Sequence, residues 1–555
     1  MEVTAASPRL RARLLPHSGW ARAALLLLIL FALLRSVLWA SVQPGWLAPD
    51  EDYHWLYINY MVEKHTVPNL SKPFYTDELF RSVALVKQGL FLAGADGSYS
   101  GDPHAVLSKL GGPLSEREPA PPNPRQVLHP PGYYLGGFVI DELLWHKVSI
   151  TRLTAIRYYS ALLGAITIFF AWLLAAAVLA REWQQLAAAA LASLQPILAF
   201  SASTITNDVG VAVALTATLA WCAWMLRGPP TARHGVGLGI LFSIAVMVKA
   251  TMLSLVIVIA VVLAFQWRVY PAARRQLWGV LKWTIAIPAV LAGWWYVRLV
   301  IVTGSILGER GSLTSANGAH GPGILHAPAV AWNWITLVYR SYWFDYLAYE
   351  VRHEDIWFWL PVIGMVIVAA GFVALLIRTR RTVFDPSRSE LRVVLLLTLT
   401  ALLLLLPPLA LDTLRGVRGL PFTTEQGRFL TPAYPGLAVI AVLALRELTR
   451  FSTQAYPVAV GVFVAAAFVF YWHTWINWVL ERFYGPIDGH WGRALYHASF
   501  FKPTFVTEGS LAAIMIGAIV AFVAAYGLTL WAGLLGPPRR GASGAHASAP
   551  EQVTV

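Results

Sequence analysis

The chain holds a single cysteine, Cys222, set inside an apolar stretch. An intramolecular disulfide is therefore excluded, and so are cysteine-based zinc motifs. Charge is also scarce. Only 13% of the 555 residues are Asp, Glu, Lys or Arg, about half the share usual in soluble domains. The sequence has no Walker A loop, no HExxH helix and no nucleophile-elbow serine. ATP-driven transport and serine or zinc hydrolase chemistry lose weight accordingly. No internal repeat is visible.

What is abundant is apolar surface. Hydrophobic residues make up 57% of the chain, and the mean hydropathy is +0.58. A soluble fold of this size could not bury so much. Runs such as 23–34 and 395–406 specify an all-α polytopic membrane protein. The formal net charge of +13 fits arginine in cytoplasmic loops, and no nucleic-acid-binding module is visible. Arg9, Arg11, Arg13 and Arg22 precede the first apolar run as they would in a signal peptide. That run continues through Arg35 to Val42, too long for one, so it is read as a retained span.

About twelve spans are expected, near 20–43, 154–180, 183–201, 206–226, 235–249, 251–266, 278–301, 355–378, 391–411, 430–448, 455–477 and 508–535. Lys249 interrupts the fifth and sixth, which can be one bent element. With the N-terminus cytoplasmic, the inner loops receive Arg181, Arg227, Arg233, Arg268, Arg274, Arg275, Arg378, Arg380, Arg381, Arg388, Arg392, Arg446 and Arg450. The tail with Arg539 and Arg540 is then also inside, as the positive-inside rule requires. Segment 130–148 is apolar enough to tempt a further span. It opens on His-Pro-Pro and carries Asp141 and Glu142, so it is read as a juxtamembrane or re-entrant helix. Lys147, Arg152 and Arg157 then stand outside, a modest misfit. The exterior segments are 44–153, 302–354, 412–429 and 478–507.

This topology puts many polar residues on one side. Asp50 and Glu51, after Pro49, can cap the helix that follows, or one can act as a general base. His54 lies on the same helical face as Asp50, and either packs, orients a carboxylate or helps bind a cation. Asp50, His54 and His129 make a divalent cation possible. His129 leads into Pro130-Pro131-Gly132-Tyr133-Tyr134, whose tyrosines suit an interfacial belt or stacking on a sugar. Asn207 and Asp208 open span four. Lys249, Arg298 and Arg428 can snorkel to headgroups or bind a phosphate, with Gly427 leaving the backbone beside Arg428 open to close approach. Asp345, Glu425 and Gln426 lie on the same side. Trp294, Trp295, Tyr296, Trp332, Trp334 and Trp343 are either interfacial belt or a platform for saccharide or isoprenoid.

Pro49-Asp50-Glu51 after the first span, with His54 following, resembles the Asp-Glu motif of the GT-C membrane glycosyltransferases, which include the protein O-mannosyltransferase and aminoarabinose transferase families. His129-Pro130-Pro131-Gly132-Tyr133-Tyr134 resembles their second loop element. Asn207-Asp208, Lys249, the 293–298 stretch ending in Arg298, and the 426–433 stretch opening on Gln426-Gly427-Arg428 resemble a bacterial branch of the superfamily. Segment 478–507 has no counterpart in that pattern. The resemblance implies a GT-C-like bundle of about twelve transmembrane helices, with juxtamembrane helices in a long first exterior loop. It implies a polyprenyl-phosphate sugar as donor, inversion at the anomeric carbon, and a glycan, lipid or protein acceptor on the non-cytoplasmic face.

On that reading Asp50 and Glu51 are the catalytic candidates, with Asp50 taking the acceptor proton. Lys249, Arg298 and Arg428 bind the donor phosphate. His54, His129, Tyr133, Tyr134, Asn207, Asp208 and Gln426 bind substrate. The expected division is a cytoplasmic tail 1–19, a core 20–301 that includes loop 44–153, an exterior loop 302–354, C-terminal helices 355–535 and a disordered cytoplasmic tail 536–555. The expected location is a bacterial plasma membrane with both termini cytoplasmic. The competing readings are a glycolipid transporter or flippase, and a non-catalytic assembly or sensor protein.

Overall fold

Long apolar helices succeed one another in the computed structural model, which describes residues 15–46, 48–68, 75–76, 116–117, 125–306, 321–344, 356–424, 426–480, 484, 491–499 and 502–536. Among these residues the one departure from helix and loop is a two-residue antiparallel pair, Tyr75–Thr76 with Glu116–Arg117. The fold is all-α.

Each expected span is found as helix. Helix α1 (Gly19–Val42) leads into a short α2 (Glu51–Lys64) and, later, α3 (Gly132–Leu143). Helix α4 (Ser149–Val178) is followed by α5 (Glu182–Ser193) and α6 (Pro196–Ser201), then α7 (Asn207–Met225), α8 (Ala232–Val248), α9 (Leu255–Val269), α10 (Arg274–Leu291) and α11 (Gly293–Thr303). Helix α12 (Ala327–Trp343) precedes α13 (Ile356–Thr379) and α14 (Glu390–Gly416). A 3₁₀ turn, Gly427–Ala433, then opens α15 (Tyr434–Leu448), with α16 (Ala455–His473), α17 (Trp491–Ala498) and α18 (Glu508–Leu535) completing the order.

Among the described residues nine helices are long and apolar enough to cross a membrane, ten with the α10–α11 pair, which bends by 57°. The difference from twelve has local causes. The 183–201 span is broken in two at Gln195, where Pro196 starts α6 without a backbone N–H to continue α5. Helix α8 is a single 17-residue element, separate from the 3₁₀ turn and α9 that follow Lys249. Pro288 lies one turn before the α10–α11 bend.

Helix α7 is almost wholly enclosed, packed against α4 and α8. Helix α13 turns Ile363, Val366, Val373 and Ile377 outward. A helix apolar on that exposed face, with its backbone bonds satisfied internally, needs lipid rather than water around it. The chain is a multi-pass membrane protein.

The 130–148 segment proves too short to cross. Helix α3 has 12 residues, about 18 Å at 1.5 Å per residue. Its Asp141 is fully buried and accepts two bonds from Arg152, at 2.7 and 2.8 Å, while Arg152 also donates to Asn59 at 2.5 Å. The apparent misfit of Arg152 and Arg157 in the topology disappears, since both guanidinium groups are sequestered in ion pairs inside the protein.

Candidate active site

The site begins at the end of α1. Arg157, on α4, reaches into the connection between α1 and α2 and donates to the carbonyls of Ala40 (3.1 Å), Gln43 (2.8 Å) and Pro44 (3.0 Å). Its remaining hydrogens go to both oxygens of Glu51, at 2.8 and 2.5 Å. Glu51 also accepts the backbone N–H groups of Ile205 (3.0 Å) and Trp46 (3.1 Å). It is fully buried, with both carboxylate oxygens already bonded. The expectation that Glu51 shares the chemistry finds no open face here. The residue fastens the turn that presents its neighbour.

That neighbour, Asp50, occupies the N-cap position of α2 but does not cap it. Its backbone is left-handed, with φ of 63°, a conformation that costs a non-glycine residue on the order of 1–2 kcal/mol and that Asp tolerates better than most. The carboxylate turns away from the helix and accepts from Arg428 at 2.6 Å. At 39% exposure, it is the open carboxylate of the cluster.

Arg428 sits in the 3₁₀ turn before α15. Besides Asp50 it donates to the Pro49 carbonyl at 3.2 Å, and its Nε lies 3.7 Å from Asp208. Asp208 is placed in the first turn of α7 by the Thr206 cap, whose hydroxyl accepts the Asp208 N–H at 3.3 Å. Its other oxygen accepts from Lys249 at 2.6 Å, at the end of α8. Four helix ends thus bring Asp50, Arg428, Asp208 and Lys249 into one chain of alternating charge. Both cations also lie over the Phe429 ring, at 5.1 Å for Lys249 and 5.5 Å for Arg428.

One wall is aromatic. The His54 Nδ1 and the Tyr134 hydroxyl are 2.6 Å apart, the His54 ring stacks on Tyr134 and on His129, and Tyr57 stacks on Tyr134 with centroids 3.8 Å apart. Burial pushes the His54 imidazole down to about 3; nearby Asp208 opposes the shift, while Arg428 and Lys249 reinforce it. Burial lowers His129 too. Both rings are therefore neutral near pH 7. Among the described residues no three His, Cys, Asp or Glu side chains gather as a metal site. Asp50, His54 and His129 do not form the cation site that their residue types allowed.

The other candidates fall at varying distances from this centre. Tyr133 is buried, sharing a 2.8 Å bond with Ser160 and accepting the Thr206 N–H at 3.2 Å, so it supports α7. Asn207 contacts the Val248 carbonyl at 3.5 Å and ties α7 to α8. Arg298 donates to the Pro68 carbonyl at 2.9 Å and lies over Trp295. Among the described residues it makes no ion pair with Asp50 or Asp208, whose partners are Arg428 and Lys249. Gln426 leaves its buried side-chain oxygen without a hydrogen-bond partner.

Gly427 has a different role from the one expected. A Cβ there would stand 2.4 Å from the Tyr342 nitrogen, so the close approach is made by the protein's own backbone. The aromatic residues divide: Trp295 and Trp334 are buried, the latter donating to Asp412 at 3.0 Å, while Trp294 and Trp332 face outward. Asp345 and Glu425 lie outside the described residues. Sequence reasoning missed Arg157 as an anchor. Its signal was present, as an arginine misplaced by the topology and in need of a buried acid.

The sequence matches no protein-family model and no curated protein. Among solved structures it is similar to ArnT from Cupriavidus metallidurans bound to undecaprenyl phosphate, with 15% identity and a TM-score of 0.45, over 92% of this chain and 77% of that one. It is also similar to the oligosaccharyltransferase AglB from Archaeoglobus fulgidus, in complex with an inhibitory peptide and a dolichol-phosphate, with 14% identity and a TM-score of 0.41, over 93% of this chain and 56% of that one. At such identities no residue role transfers, and the site stands on its own geometry.

Proposed function

We propose that this chain is a GT-C-type membrane glycosyltransferase that moves a sugar from a polyprenyl-phosphate donor to an acceptor hydroxyl. The observation that carries the reading is the Asp50–Arg428–Asp208–Lys249 chain, in which an open carboxylate stands beside two cations held by a buried one. Glycosyl transfer from a phosphate needs both halves. The acceptor oxygen attacks the anomeric carbon, the bond from that carbon to the phosphate oxygen breaks with its electron pair leaving on phosphate, and the acceptor proton passes to Asp50. Attack opposite the leaving group inverts the centre. General-base catalysis is typically worth 10²–10⁴-fold, and positioned cations act on the charge that develops on the leaving phosphate.

Asp208 acts here by holding Lys249 and Arg428 in place. An arriving phosphate competes with Asp50 for Arg428 and frees the carboxylate for the acceptor. Arg298 is assigned to the edge of the donor site, and Tyr134, His54 and His129 to a wall against which a sugar packs. Gln426, with its free oxygen, and Asn207 complete the substrate-binding set. The acceptor is a glycan, lipid or protein. The reaction face is non-cytoplasmic and both termini are cytoplasmic, in keeping with the arginine distribution of a bacterial plasma-membrane protein. The division into core 20–301, exterior loop 302–354 and C-terminal helices 355–535 belongs to the same reading.

A glycolipid transporter or flippase draws on one observation, the span broken at Gln195, since broken helices serve transporters. The two readings separate in proteoliposomes supplied with polyprenyl-phosphate sugars. Mass spectrometry of cell-envelope glycans with and without the gene should show one sugar addition missing. Lipid movement without any covalent product, in vesicles or cells, would favour the transporter.

A further inference from the structure

Segment 478–507 is absorbed neither by the proposed chemistry nor by the motif pattern. Two of its side chains nevertheless end at the loop that carries Asp50. The Tyr484 hydroxyl donates to the Val42 carbonyl, and the Lys502 amine, 3% exposed, donates to the Gln43 carbonyl. Val42 and Gln43 are the last residue of α1 and its C-cap. Their carbonyls are among those a helix end leaves without an intrahelical donor. The Gln43 carbonyl also accepts from Arg157 at 2.8 Å, the residue that grips Glu51. Helix α17, within the same segment, packs on α1 and α18.

A buried lysine with a carbonyl as its acceptor has little to do with solubility or with headgroup binding. Burial, reinforced by Arg157, pushes its amine well below the usual range, with Glu51 opposing. The contact is to the backbone of the loop, whereas Arg428 reaches the Pro49 carbonyl and the Asp50 carboxylate. Asp50 is thus reached from two directions, by Arg428 at its carboxylate and by Arg157, Lys502 and Tyr484 at the backbone leading into it.

We infer that Lys502 and Tyr484, on either side of α17, clamp the catalytic loop as positioning residues that set where Asp50 stands. The inference rests on the proposed role of Asp50 but is read out separately from it. The experiment is hydrogen–deuterium exchange of the full chain in nanodiscs, followed over residues 43–51, for wild type, Lys502→Met, Lys502→Arg and Tyr484→Phe. Undecaprenyl phosphate affinity and envelope glycan transfer are measured on the same proteins.

Losing one buried hydrogen bond should raise exchange in this loop by roughly three- to tenfold. Transfer should fall roughly ten- to a hundredfold, as for a misplaced catalytic group. Undecaprenyl phosphate affinity should stay within about twofold, because Lys249 and Arg428 are untouched. Lys502→Arg, which keeps a donor, should recover most of the transfer. Tyr484→Phe serves if Lys502→Met does not fold. Unchanged exchange and transfer in these variants, with Asp50→Asn inactive, would overturn the clamp and leave the proposed function standing. Normal transfer by Asp50→Asn would instead remove the catalytic reading, and the exchange data alone would then decide the clamp.

Discussion

Arg428 donates to the Asp50 carboxylate at 2.6 Å across 378 residues of sequence. The same guanidinium lies 3.7 Å from Asp208, so one side chain joins the open acid to the buried cation-holding acid. Replacing it tests the donor half of the site. Arg428→Gln should lower transfer by about 10²–10³-fold, the usual cost of removing one positioned donor to a developing anion. It should also weaken binding of undecaprenyl phosphate in native mass spectrometry. Transfer within a fewfold of wild type would take Arg428 out of the mechanism.

Glu51 and Arg157 should behave as a structural pair. Breaking a buried ion pair from one side leaves an uncompensated charge and typically costs about 3–5 kcal/mol. Glu51→Gln and Arg157→Met should each lower the unfolding temperature sharply, and the double variant should lose less than the sum. A Glu51→Gln protein as stable as wild type yet inactive would return Glu51 to the chemistry.

His54 gives a pH signature with a defined sign. Its folded value of about 3 lies below the ordinary 6.5, because burial disfavours the charged ring. Protonation therefore favours the unfolded chain. The stability held by the neutral ring is complete above pH 6.5 and is lost progressively as pH falls toward 3. Thermal unfolding between pH 7 and 4 should show this loss, and His54→Gln should remove part of it, with His129 keeping the remainder. A His54→Gln protein with the wild-type pH dependence would contradict the assignment.

Gly427→Ala should damage the site through packing. The added Cβ meets the Tyr342 backbone nitrogen at 2.4 Å, so the turn carrying Arg428 must shift. Overpacking of this kind costs about 1–3 kcal/mol, and transfer should fall with the loss of stability. Unchanged melting and transfer would show that the two backbones are further apart than described.

The helices were legible in the sequence because apolar run length is a direct consequence of bilayer thickness. The short α3 was legible for a related reason, since Asp141 and the Pro130-Pro131 pair argue against a span. The broken and bent elements at Gln195 and Gly293 were not, since proline marks a weak point in a helix without saying whether neighbours keep it straight. At the site, the residue types and their shared end were readable, and their partners were not. Asp50 reads locally as a helix cap, yet its carboxylate pairs with Arg428, brought in from the far half of the chain. Glu51 reads as the equal of Asp50 until Arg157 is seen to grip it. Gly427 reads as room for a ligand until Tyr342 fills that room.

The central claim is that Asp50 takes the acceptor proton, and Asp50→Asn tests it most directly. The variant nearly preserves shape, can still accept a hydrogen bond from Arg428, and leaves Glu51, Arg157, Asp208 and Lys249 unchanged. In cells lacking the native gene, wild type should restore the missing envelope sugar in mass spectra. Asp50→Asn, made and inserted at the same level and binding undecaprenyl phosphate at least as tightly as wild type, should reduce that product by at least about 10²-fold. A wild-type quantity of product from Asp50→Asn would contradict the assignment.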